Sequence, residues 1–231
     1  VRPIYLGVDV AGAKNTWVAG LSSGSSGLEV DYSPRLASLK SIVGYCEDND
    51  VVAVAVDAQL AISISDENGF RSSDRELRKL LLEHGGSRNW VAAFNALMAV
   101  PVRGRLLADH LSPTVGTLIE THPRASLLFG LGRSHKGIRT AIHEYKPKGS
   151  DTREQKEDRK QYTEQLWRLW SERFGIRYQE AVREDGALDA LVCATVAHRF
   201  HHEPSVLHKL RHDVPEKSGR GPFYVMKSTS Q

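Results

Sequence analysis

The segment VVAVAVDA, residues 51–58, narrows the choice of fold more than any other part of the chain. It is a near-continuous apolar run rich in valine, ending in an aspartate. A strand with one wet face alternates polar and apolar residues, so an unbroken run reads as a central strand covered on both faces. A sheet covered on both faces needs helices on both sides, which places the chain among the α/β proteins.

The surrounding pattern agrees. IYLGVDVA (4–11), NTWVAGLSS (15–23) and LEVDYS (28–33) read as three earlier strands, with GSSG (24–27) as a hairpin tip between the last two. TVGTLIETHP (114–123) reads as a further strand. LASLKSIVGYCED reads as a helix, and helical patterns occupy 74–84, about 104–111, 124–130, 152–174 and 186–202. The order predicts a mixed sheet, three antiparallel strands followed by parallel ones, flanked by helices. The polar stretch KPKGSDTREQKEDRK (146–160) reads as a loop running into a long charged helix, whose Leu166, Leu169, Trp170 and Phe174 form a stripe for the core. There are no internal repeats, and residues 1–231 read as one domain with a C-terminal tail from about 203.

Acidic residues interrupt this apolar framework at particular places. Asp9 ends the first strand's apolar run, Asp57 ends the central strand, and Glu120 lies in TLIETHP. EDGALDALVCA (184–194) opens a helix that is otherwise apolar, yet it holds Asp185 and Asp189 one turn apart. Asp185 can cap the first turn. Asp189 shares a face with Val192, Cys193 and Val196, so its carboxylate points inward and requires a partner. In open α/β sheets, sites form at the carboxyl ends of strands, where loops and helix starts converge. A set of hard oxygen ligands there suits Mg²⁺ or Mn²⁺, and the chemistry it best supports is two-metal hydrolysis of a phosphodiester. Glu120 also reads as an ion-pair partner for Arg124.

GVDVAGAKNTWVAG, AVDAQLAI, FRSSDRELR, IETHPRASL, EYKPK and EDGALDALVCA, in that order, resemble the RNase H-like nucleases grouped as domain-of-unknown-function family 429. The resemblance runs from residue 4 to about 200, and its specificity lies in the ordered set. It implies an RNase H-like fold in which Asp9 anchors a divalent metal, Asp57, Glu120 and Asp189 match the later acidic positions, and Asp185 is auxiliary. It also places an arginine–aspartate motif on Arg71, Asp74, Arg75 and Arg78 and a recurring lysine on Lys146. Ser73 stands where the family usually has cysteine, and Asp57 is followed by Ala58 and Gln59 where a proline is common in the third position. From the residues alone, Asp74 reads equally as an N-cap, and the arginines either as a solvated helix face or as a phosphate clamp.

The remaining features narrow the function. A formal net charge of +3 permits a polyanionic partner such as nucleic acid without demanding one, because bases and acids are interleaved. Cys46 and Cys193 sit in apolar elements without CxxC spacing, which predicts buried free thiols and a cytoplasmic setting. No signal peptide or membrane-length apolar run is present in the sequence, so a membrane partner is not expected. HRFHHEP, with His198, His201 and His202, reads as a solvated basic helix end rather than a zinc site, and GLGRSHKG (130–137) as a surface loop rather than a P-loop. The alternatives to a nuclease are a non-catalytic nucleic-acid or protein interaction domain, and an actin-like phosphotransferase. The last needs a duplicated domain and a second glycine-rich motif that the chain lacks.

Overall fold

In the computed structural model of this protein, which describes residues 2–24, 27–62, 69–97, 99–132, 137–211 and 222–228, the valine-rich run forms the strand Val51–Asp57. In chain order the elements are β1 (Ile4–Asp9), β2 (Trp17–Gly24), β3 (Gly27–Leu36), α1 (Leu39–Asp48), β4 (Val51–Asp57), α2 (Ser72–Glu83) and α3 (Ala99–Leu111). They continue with β5 (Thr117–Glu120), α4 (Pro123–Leu131), α5 (Ile138–Glu144), α6 (Arg153–Phe174), β6 (Ile176–Arg177), α7 (Asp185–His202), β7 (Leu207–Lys209) and β8 (Tyr224–Met226).

The main sheet has the order β5-β4-β1-β2-β3-β6. β2 runs antiparallel to β1 and β3, while β4, β5 and β6 pair in parallel. This mixed α/β arrangement is the one the sequence predicts and is consistent with an RNase H-like sheet. Gly24 pairs with Gly27 where the hairpin tip is expected; Ser25 and Ser26 lie outside the described residues, as do residues 133–136 of GLGRSHKG.

Strand periodicity explains the unbroken apolar runs. Tyr5, Ala53, Ala55 and Ile119 point into one core with α4, α6 and α7, whereas Leu6, Val8, Val54, Val56 and Leu118 point into another with α1 and α3. Both faces are therefore dry, as a run without alternation requires. In the stripe on α6, Leu166 and Trp170 are fully buried, and the Trp170 indole donates to Thr195 Oγ1 at 3.0 Å.

α7 lies directly against β1, and Gly7 is the reason. A Cβ at Gly7 would sit 2.0 Å from the Ala190 carbonyl oxygen and 2.2 Å from the Ala194 nitrogen, both helix backbone atoms that cannot rotate away. Gly7→Ala must push α7 off the sheet, and overpacking of this kind costs about 3 kcal/mol. Urea denaturation should show a lowered midpoint with an unchanged slope. A midpoint equal to that of the wild type would mean that the helix is not held this closely.

Several elements depart from the sequence reading. α5 and β6 are too short to give a periodic signal. The segment from residue 204, expected as a tail, forms β7 and β8, and just before β8 it lies along β5: the Glu120 amide donates to the Pro222 carbonyl at 3.0 Å, and Phe223 bridges Glu120 in parallel. Finally, His198 is buried rather than solvated. Its ring meets Tyr5 edge-on at 4.8 Å, and the Tyr5 hydroxyl shares a 2.6 Å hydrogen bond with His202 Nε2. The end of α7 therefore closes over the start of β1.

Candidate functional site

Parallel pairing puts Asp9 directly beside Asp57, each the last residue of its strand. Both share strand parity with the residues that face α7. The close approach of α7 at Gly7 then brings Asp189 over the same edge. Asp9, Asp57 and Asp189 each offer a carboxylate oxygen within 4.8 Å of the others. Among the described residues, this is the one group of three or more His, Cys, Asp or Glu close enough to share a metal ion.

The inward-pointing Asp189 has the partners its burial demands. It is fully buried, Tyr145 Oη donates to its Oδ1 at 2.8 Å, and Lys146 Nζ pairs with its Oδ2. Tyr145 caps α5 and Lys146 follows it, so the short helix α5 exists in the right place to brace α7's acid. Among the described residues, none donates a hydrogen bond to the side chain of Asp9 or Asp57, so their charge is balanced only through Lys146.

That imbalance shows in their protonation. Burial, and then the neighbouring Asp189 and Asp185, push the Asp9 carboxyl up to about 7, against the pull of Lys146. Burial and the charge of Asp9 hold Asp57 well above the usual carboxylate range. Burial alone would discharge Lys146, but Asp189, Tyr145, Asp9 and Asp57 outweigh it and keep the ammonium well above its ordinary range. Asp185 is half-buried, adds to the negative potential at Asp9, and lies outside the group of three.

Glu120 is not brought into this group. It pairs with Val56 rather than with Asp57, so it has the opposite parity and leaves the sheet on the other face. There it meets Arg71. The Arg71 guanidinium donates to Glu120 from Nη1 at 2.8 Å and Nη2 at 2.5 Å, to Asp74 from Nε at 3.0 Å and Nη2 at 2.7 Å, and to the Ala61 carbonyl from Nη1 at 3.0 Å. All five N–H donors are thereby used, and the partner of Glu120 is Arg71, not Arg124. Asp74 is the third residue of α2, not its N-cap, and it also accepts the Arg71 amide at 3.0 Å.

The other two arginines of the motif brace the backbone. Arg75 donates to the Phe70 carbonyl at 2.6 Å, and Arg78 donates to Arg88 and Val91 carbonyls while lying over the Phe70 ring at 4.3 Å. A cleft of about 220 Å³ opens beside the carboxylates, lined among others by Asp57, Arg71, His122, Arg124 and Lys146. His122 caps α4 by accepting the Ala125 amide and also contacts the Trp90 carbonyl; burial pushes it down to about 4, so it is neutral. Tyr145 and His122 were not singled out in the sequence. Both flank residues that were, in EYKPK and IETHP, but nothing in the spacing marks a phenol or an imidazole as a partner.

Sheet and site together define an α/β protein with an acidic centre at the carboxyl edge of its parallel strands. The chain belongs to the family described as Protein of unknown function (DUF429), whose model matches residues 7–209. No curated protein and no solved structure matches the chain.

Proposed function

We propose that this protein is a divalent-metal-dependent nuclease that hydrolyses phosphodiester bonds in nucleic acid. The observation that carries the reading is the convergence of Asp9, Asp57 and Asp189 within 4.8 Å, two of them without a hydrogen-bond donor among the described residues. Three hard oxygen donors with no sulfur or imidazole among them fit Mg²⁺ or Mn²⁺. Asp9 and Asp57 would hold the ion from the strands and Asp189 from the helix, with Asp185 adding negative potential behind them. Such an ion supplies an activated water and neutralises charge on the phosphate. Because Glu120 is engaged by Arg71, a second ion would draw its further ligands from the substrate.

The chain's own part is orientation. Tyr145 fixes the rotamer of Asp189, and Lys146 Nζ sits where it can hold a proton or balance charge at a phosphate oxygen. Arg71 and Asp74 line the cleft, and Arg75 and Arg78 brace backbone carbonyls, instead of clamping phosphate. Two buried free thiols suit a reducing, cytoplasmic setting, and no described helix is long and apolar enough to cross a membrane.

Cleavage of labelled single-stranded, duplex and branched DNA and RNA, with Mg²⁺, Mn²⁺ or EDTA, tests this. Wild-type protein should cut at least one substrate only with metal, and Asp57→Asn should lose about 100-fold or more, since even residues behind metal ligands cost 10–100-fold. The absence of both cleavage and metal binding would overturn the reading and favour a non-catalytic interaction domain.

A further inference from the structure

Two residues that line the cleft beside the carboxylates carry buried oxygens that no described residue engages. Gln59 is 6% exposed and Thr121 1% exposed, and Gln59 Oε1 and Thr121 Oγ1 have no hydrogen-bond partner among the described residues. Both residues line the cleft that Asp57 and Lys146 also line. Gln59 Nε2 donates to the Ala92 carbonyl at 3.4 Å, which leaves Oε1 as the free acceptor. A buried polar group without a partner costs about 1–3 kcal/mol, so two in one cleft mark a place prepared for a ligand.

The rest of the wall says which ligand. Trp90, Val91, Val100 and Phe223 give it apolar surface. Its arginines are already engaged: Arg71 has no free N–H, and Arg124 donates to the Ile142 and His143 carbonyls while lying 4.3 Å over the Trp90 ring. Away from the carboxylates, then, the cleft offers apolar walls and neutral hydrogen-bonding oxygens. That is chemistry for a heterocyclic base and not for a second phosphate. At about 220 Å³ it has room for one such unit.

We propose that this cleft receives the base of a single nucleotide unit whose phosphate lies at Asp9, Asp57 and Asp189. The proposal rests on the nuclease reading and gives it a substrate form: one unpaired nucleotide, presented by a single strand, by a strand end or as a free nucleotide. Gln59 Oε1 accepts from a ring N–H or exocyclic amine of the base, and Thr121 Oγ1 donates or accepts beside it. A base still paired in a duplex does not enter.

Binding by the full chain can be measured by fluorescence anisotropy, with Ca²⁺ replacing Mg²⁺ and also without metal. The probes are a short single-stranded oligonucleotide, the same strand with abasic sites, adenosine monophosphate and ribose phosphate. Mn²⁺ binding is followed on the same protein by electron paramagnetic resonance. Intact strand or adenosine monophosphate should bind about tenfold or more tightly than its base-free counterpart, a difference of about 1.4 kcal/mol. The two pairs of probes tell a strand from a free nucleotide. Gln59→Leu and Thr121→Val should each shrink the ratio, and the wild-type comparison stands if either variant fails to fold.

Equal binding of base-bearing and base-free probes, or no binding of either, overturns the proposal. Mn²⁺ binding without base preference leaves the nuclease reading standing while the base cleft falls. Base preference without Mn²⁺ binding does the reverse.

Discussion

Asp9→Asn should melt at a higher temperature than the wild type when both are metal-free, and should lose its response to Mn²⁺. Asp9, Asp57 and Asp189 share one edge with, among the described residues, a single ammonium, Lys146, and burial with this crowding moves the Asp9 carboxyl from an ordinary 3.8 to about 7. A decade of proton affinity is worth about 1.4 kcal/mol, and the half-buried position of Asp9 roughly halves the result, so the charged carboxyl destabilises the metal-free fold by about 2 kcal/mol. In a domain of this size, that corresponds to about 4–8 °C in melting temperature.

The sign follows from the direction of the displacement. A carboxyl that is harder to ionise in the folded state than in the unfolded one costs nothing below the unfolded value, and the cost grows as pH rises to about 7. The advantage of Asp9→Asn over the wild type should therefore widen between about pH 4 and 7 and level off above it. Mn²⁺ competes with the same proton, so its affinity for the wild type should rise across this interval. Thermal scans from pH 4 to 8, with and without Mn²⁺, check both trends. A variant less stable than the wild type at pH 8, or one still stabilised by Mn²⁺, would contradict the placement of Asp9 among the ligands.

The three carboxylates differ in how far the sequence exposes them. Asp57 is legible because so apolar a strand cannot end in a carboxylate without a reason, and Asp189 because helical periodicity turns it inward. What brings them together is less visible. Asp9 and Asp57 meet through strand register, and Asp189 arrives only because Gly7 lets α7 touch β1. Register also explains Glu120. Its place one step short of Asp57 reverses its face, and nothing local in TLIETHP distinguishes the two alternatives. Lys146 was placed by resemblance alone, and Tyr145 not at all, because their contact with Asp189 joins distant parts of the chain. The short elements α5, β6, β7 and β8 escape for a related reason: their stability comes from packing and pairing, not from a local pattern.

Arg71→Met should cause the largest stability loss of any single change considered, about 3–5 kcal/mol, because it strands two buried carboxylates. Glu120 and Asp74 are 3% and 1% exposed, and among the described residues Arg71 is the side chain that donates to both, through paired donors, with the Leu60 amide adding one bond to Glu120 Oε2 at 3.0 Å. Arg71→Lys should recover little, since an ammonium cannot reproduce a planar fork of five donors. The double variant Arg71→Met, Glu120→Gln should be more stable than the sum of its parts, because one of the stranded charges is gone. Urea unfolding of the four proteins measures that coupling. The same series separates wall from ligand: Glu120→Gln should bind Mn²⁺ within about twofold of the wild type, whereas loss of a true ligand costs about tenfold or more. A tenfold loss in Glu120→Gln would return Glu120 to the metal site and require Arg71 to release it when metal binds. Unchanged affinity, with strong coupling to Arg71, would establish that the acid helps to build the cleft and takes no part in the chemistry beside it.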